Sequence, residues 1–194
     1  MANTFLRRNF TQGLFYAGMI VLSAFVMVNV HEIGHTILAR LSGDSHATYA
    51  LYRLNSNGDL SCIGCNVYDE TALSWAGNVM VALGGVLFSQ ALAMLVLGLG
   101  GRRKFHWCWR FCQILVAVCA LDAVFQVLQG ILAHVSTQTN LTRVDLADFV
   151  WLVSGRTGVS AGVIKMALGI ILIAYLWWLM SAYKKMTGNA EMAH

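Results

Sequence analysis

Four segments of this chain, at roughly 13–39, 74–99, 107–133 and 159–182, are apolar over more than 20 residues each. Crossing the hydrocarbon core of a bilayer takes about 20 residues of helix. Lipid offers no partner to a bare N–H or C=O, so a single apolar segment crosses as a helix, which satisfies its own backbone. These segments predict an all-α polytopic membrane protein with about four transmembrane helices. Composition agrees: 58% of the 194 residues are hydrophobic and 11% charged, where soluble domains carry about 25% charged residues. The length suits a single membrane-embedded domain over 1–194. The first apolar run begins after Arg7 and Arg8 and continues through His31 with no small-x-small cleavage site, so it reads as a retained helix rather than a signal peptide.

The polar connections orient these spans. If each segment crosses once, Arg7, Arg8, Arg102, Arg103, Lys104, Arg110, Lys184 and Lys185 fall on one side, and Arg40, Arg53, Arg143 and Arg156 on the other. The positive-inside rule then predicts a multi-pass protein of the cell (inner) membrane with both termini cytoplasmic and the 40–73 loop outside. Lys165, near the start of the last span, can snorkel. Trp107, Trp109 and Arg110 at the head of the third span, and "LWWLM" in the fourth, read as interfacial belts. No long basic tract points to nucleic acid; the bilayer is the expected surroundings.

In the 40–73 loop, "ATYALYRL" is followed by the turn signal "SNGD", which predicts a small β-hairpin between the first and second spans. Cys62 and Cys65 form the chain's only C-x-x-C. Their spacing leaves open a disulfide, part of a metal site with His46 and Asp69, or two plain thiols. "VDLADFVWLVSG", 144–155, predicts a short helix with acidic residues in its first turn and Gly155 past its end.

The chemistry concentrates in "NVHEIGHTIL", 29–38, at the end of the first apolar run. His31 and His35 stand one helical turn apart, on one face, with Cβ atoms about 5–6 Å apart. That spacing lets two imidazoles reach one Zn²⁺ at about 2.0–2.1 Å. Glu32 directly follows the first histidine and can take the proton of a water that the metal acidifies to a pKa near 7. A chain of this composition is expected to show H-E-x-x-H by chance only about 0.003 times. Ionisable groups inside a membrane segment are expensive and mark function. The competing structural reading, two core histidines bonded to neighbouring helices, leaves the glutamate between them without a role.

A catalytic zinc normally takes three protein ligands. Asp145 and Asp148 begin the short helix, on the same side of the membrane as the end of the first span. Asp122 lies about two-thirds along the third span, and His134 at its end. All four are candidates for the third ligand. Whichever of Asp145 and Asp148 is left over suits a helix N-terminus, where the macrodipole favours a carboxylate.

H-E-x-G-H at the end of a first apolar helix resembles the site-2-protease family of intramembrane zinc metalloproteases. A loop with strand character follows it, then "AGNVMVALGGVLFSQALAML", similar to the family's small-residue motif, with Gly84 and Gly85 where Gly-Pro is usual. "NLTRVDLADF" resembles the family's late Asn…Asp segment, and "VDLADF" its Ser-Asp-Ala version, which puts Asp145 ahead of Asp148. The chain has no proline, no glycine after Asp145 and no regulatory insert. The resemblance implies a Zn²⁺ cofactor on His31, His35 and Asp145, with Glu32 as general base. It also implies a membrane-anchored polypeptide as substrate, whose unwound segment adds as a strand to the hairpin, and an oxyanion donor among Asn78, Asn140 and Gln90. The alternatives are a non-catalytic membrane metal-binding or substrate-handling protein of the same fold, and a transporter with the histidines in a metal path.

Overall fold

The computed structural model describes residues 2–100, 106–133 and 144–191. Helix α1 (Ala2–Leu41) leads into a hairpin of β1 (Thr48–Leu54) and β2 (Leu60–Val67), then a short 3-10 turn at Glu70–Ala72. Helices α2 (Trp75–Gly100), α3 (His106–Leu132), α4 (Asp145–Thr157) and α5 (Ala161–Glu191) follow. Four of these helices are long and apolar enough to cross a membrane, over Phe10–Leu41, Trp75–Leu99, Trp109–Leu132 and Ala161–Lys184. The described residues therefore form a mainly helical multi-pass membrane protein with a two-stranded antiparallel sheet between its first two spans. Large apolar side chains face outward: Ile170, Ile171 and Ile173 of α5 are 63–71% exposed. Lipid, which is as apolar as these side chains, suits them where water would not.

Small residues bring α1 and α2 together. A Cβ on Gly34 would press into the Gly84 carbonyl and the Phe88 side chain, and one on Gly84 would sit 3.0 Å from the Gly34 carbonyl oxygen. Without a hydrophobic drive between helices in lipid, such close backbone approach is what makes the dispersion contacts large. Beside this seam, Ala39, Val81, Ala47 and Leu73 join the tops of both helices to the hairpin base. Deeper in the bundle, Ala93, Leu115 and Cys119 pack with Val26 and Met27 and tie α3 to α1 and α2.

The hairpin does not project from the end of α1 but folds back along it. Gly64 of β2, at φ +60°, lies against Val28, Asn29 and Glu32; an added Cβ would be 3.2 Å from Val28 Cγ1. Glu32 is nine residues before the end of α1, about 14 Å of helix rise, so β2 reaches that far down the span. Asp44 holds the hairpin base by accepting from the backbone N–H of His46 (2.9 Å) and of Asp69 (2.8 Å). The Arg40 Nε donates to the Ala47 carbonyl at 2.7 Å. Cys62 and Cys65 are joined as a disulfide, which excludes the metal and free-thiol readings of that pair.

Helix α4 is a separate short element. It runs past the predicted end at Gly155 to Thr157, and Gly158, at φ 72°, caps it in the left-handed region. Trp75 Nε1 donates to the Leu152 carbonyl at 2.9 Å and fastens α4 to the head of α2. Gly130 of α3 admits the first turn of α4; its Cβ would stand 3.0 Å from Leu146 Cβ. The residue before Leu146 is Asp145, so this approach delivers a carboxylate to the bundle interior.

Candidate metal centre

Each polar group at the centre comes from a different packing decision. His31 and His35 project from one face of α1 toward α2, with ring centroids 5.0 Å apart. Only 6% and 4% of their surfaces are exposed. Gly85 of α2 makes the room: a Cβ there would overlap the Nε2 atoms of both rings. Asp145 Oδ2, at the start of α4, lies 2.7 Å from His31 Nε2 and 3.2 Å from His35 Nε2.

The far side of each ring fixes which nitrogen carries the proton. His35 Nδ1 is 2.7 Å from the Val81 carbonyl, which can only accept, so Nδ1 donates. His31 Nδ1 is 3.0 Å from Asp122 Oδ2 and donates to that carboxylate. In the neutral rings both Nε2 atoms then present lone pairs, and both face the Asp145 oxygen. Three acceptor atoms meet in a buried space and are held within 4.8 Å of one another. They repel unless a proton or a cation lies among them. Among the described residues, His31, His35 and Asp145 are the one group of histidine, cysteine and acid side chains close enough to hold a metal ion. Two imidazoles and a carboxylate, with the other imidazole nitrogens tied to a carboxylate and a carbonyl, are a donor set that fits zinc.

Glu32 lines the adjoining cavity, of about 370 Å³, together with His35, Asp145 and Asp148 from the helices. The hairpin forms its other wall with Arg53, Cys62, Gly64, Asn66 and Tyr68. Asn66 Nδ2 donates to Glu32 Oε2, and one helical turn down Tyr49 donates to Asn29 Oδ1. Burial, then the nearby Glu32 carboxylate, pushes the Tyr49 phenol above its usual pKa. No protein-family model, curated protein or solved structure matches the chain. What the centre does must be read from its own atoms.

The structure sorts the remaining candidates by place. Asp148, 4% exposed, lies one turn along α4 and lines the cavity, but it is not among the three converging donors. Asp122 stands behind His31, on the side of the ring away from those donors. His134 and Asn140 lie outside the described residues. Gln90 is committed elsewhere: its Nε2 donates to Ser89 Oγ (3.0 Å) and the Cys119 carbonyl (2.7 Å), and its Oε1 accepts from Tyr175. Asn78 reaches the cavity wall, with Nδ2 on the Glu70 carbonyl at 3.1 Å and its Oδ1 without a partner.

Two contributors were not visible to motif reasoning. Asn66 lies outside any motif; the only hint was a polar residue next to Cys65 in a strand that must turn one face to α1. Ser89 is a fully buried hydroxyl in an apolar helix, 2.6 Å from Asp122 Oδ2. A serine and an aspartate in separate spans could have suggested a pair, but nothing in their spacing joins them.

Proposed function

We propose that this protein is a zinc-dependent intramembrane endopeptidase that hydrolyses peptide bonds of membrane-anchored polypeptides, in the cell (inner) membrane with both termini cytoplasmic. The observation that carries the reading is the convergence of His31 Nε2, His35 Nε2 and Asp145 Oδ2 beside Glu32, at a cavity between the helices and the hairpin. The likeness of HEIGH to the site-2-protease motif supports it, as does the small-residue seam that follows.

His31, His35 and Asp145 would hold the ion. A zinc held there supplies Lewis-acid polarisation of a carbonyl and a water acidified to near neutral pH. The chain's own groups do the rest. Asn66 occupies one oxygen of Glu32, which leaves the other free to take the proton of the attacking water and return it to the leaving amine. Asn78, with one N–H still uncommitted at the cavity wall, is the described candidate for donating to the developing oxyanion. The hairpin forms one wall of the cavity.

Substrate recognition follows from backbone satisfaction. A peptide unwound within the bilayer needs partners for its N–H and C=O groups. Each strand of a two-stranded sheet keeps one unpaired edge, and β2 borders the cavity, so an added strand would run past Glu32. Proline substitutions on the hairpin edge should abolish cleavage and leave zinc bound; unchanged cleavage would refute this mode.

The experiment that tests the function is Glu32→Gln in purified, zinc-loaded protein with a membrane-anchored reporter peptide. Retained zinc and lost cleavage are expected. Zinc binding with no peptide products from the wild-type protein would instead identify a non-catalytic metal-binding protein, and metal flux into vesicles a transporter.

A further inference from the structure

Behind His31 a hydrogen-bonded chain crosses the whole bundle. His31 Nδ1 donates to Asp122 Oδ2 on α3 at 3.0 Å. Ser89 Oγ on α2 lies 2.6 Å from the same oxygen and 3.1 Å from the Val86 carbonyl. A hydroxyl has one proton, and the shorter contact to a carboxylate takes it. Ser89 Oγ in turn accepts from Gln90 Nε2 at 3.0 Å, whose second proton goes to the Cys119 carbonyl at 2.7 Å. Gln90 Oε1 accepts from the Tyr175 hydroxyl on α5. The donors run one way from Tyr175 through Gln90 and Ser89 to Asp122, and Asp122 accepts from Ser89 on one side and His31 on the other. It draws one member each from α1, α3 and α5 and two from α2.

A carboxylate in the interior of a bilayer protein is expensive, and it is retained where it performs a task. Asp122 is 8% exposed, and the imidazole ring separates it from the three converging donors. We propose that Asp122 is a positioning residue for the metal centre, and that Ser89, Gln90 and Tyr175 form the arm that holds it in place. The inference rests on the metal-binding half of the proposed function. A carboxylate accepting from Nδ1 fixes the tautomer in which Nε2 faces the ion and makes that nitrogen a better donor. Asparagine at 122 could turn its NH₂ toward Nδ1 and favour the opposite tautomer, with the wrong nitrogen bare. Tyr175 touches no ligand, yet its hydroxyl is the last donor in the chain. The fourth span thereby bears on the orientation of a ring on the first.

The test is zinc affinity of the full-length protein in detergent, by competition with a chromophoric chelator, with the visible spectrum of the cobalt-substituted protein as a second readout. Asp122→Asn should weaken zinc about 10–100-fold and alter the cobalt spectrum. Tyr175→Phe, which keeps the ring and removes only the hydroxyl, should weaken zinc about threefold, the size of one interhelical hydrogen bond in a membrane protein. Ser89→Ala should fall between them. In the Asp122→Asn background, Tyr175→Phe should have no further effect, because the two act through one path. Wild-type affinity in Asp122→Asn would overturn the proposal, as would a full threefold loss from Tyr175→Phe in that background. If Asp122→Asn does not fold, unchanged affinity and cobalt spectra in both Ser89→Ala and Tyr175→Phe would overturn it. A wild-type protein that binds no zinc would remove the metal reading itself, and this inference with it. Wild-type protein that binds zinc but cleaves nothing would leave the inference standing without the peptidase.

Discussion

Gly85 of α2 lies so close to His31 that no side chain fits between them: a Cβ at position 85 would overlap the imidazole. The neighbouring Gly84 packs tightly on the Gly34 carbonyl, where an added Cβ would stand 3.0 Å from the oxygen. This pair of glycines is therefore both a helix-packing seam and the space in which the two imidazole rings sit. Gly85→Ala should displace both rings. Overpacking of this kind costs about 1–3 kcal/mol, and if that cost falls on the bound state zinc affinity should drop about 5–140-fold, since each 1.4 kcal/mol is a factor of ten. A protein that binds zinc normally with alanine at 85 would show that the rings have room they do not have here.

Removal of any one donor should abolish stable metal binding. His31→Ala, His35→Ala and Asp145→Ala should each reduce bound zinc, measured by elemental analysis after dialysis, to near background. Asp148→Ala should leave metal content unchanged, because Asp148 lies a turn away from the converging atoms. Loss of zinc from Asp148→Ala together with its retention in Asp145→Ala would exchange their roles.

Asn66→Ala removes the donor that holds Glu32 Oε2. Glu32 would keep its place on α1 but lose its fixed rotamer. Cleavage should drop about tenfold, less than the roughly 10²–10⁴-fold that a positioned acid–base group contributes, because Glu32 itself remains, with zinc content unchanged. Equal activity in Asn66→Ala would mean that the contact is incidental.

The hairpin disulfide and the chain's orientation can be checked together. Cys62 and Cys65 should resist a membrane-impermeant thiol reagent until a dithiol reductant is added. They should then react from outside intact cells, while reporters fused to either terminus respond only on the cytoplasmic side. Labelling without reductant would show that the pair is open. Labelling only after the cells are lysed would invert the orientation.

Much of the architecture could be read along the chain. The four spans are local properties: each is a run of apolar residues long enough to cross, and the structure places them within a few residues of those runs. The "SNGD" turn marked the hairpin for the same reason, since a turn is specified by residues a few positions apart. The i,i+4 pair of His31 and His35 is equally local, because helical periodicity alone sets the two side chains on one face.

The acid that meets those histidines is another matter. Asp145 is 114 residues from His31, and Asp122 is 91. In a water-soluble helix, alternation of polar and apolar residues shows which side faces the core. In α2, α3 and α5 both the lipid-facing and the bundle-facing sides are apolar, so no such stripe marks the inward face. The spans, the hairpin and the histidine pair were legible along the chain because each follows from neighbouring residues and the demand that backbone groups be satisfied in lipid. That Asp145 meets both Nε2 atoms, that Asp122 stands behind His31 and that Asn66 holds Glu32 emerges from the packing of distant elements alone. Those outcomes depend on how closely Gly34, Gly84, Gly85 and Gly130 let separate elements approach, and close packing between distant segments leaves no periodic trace along the chain.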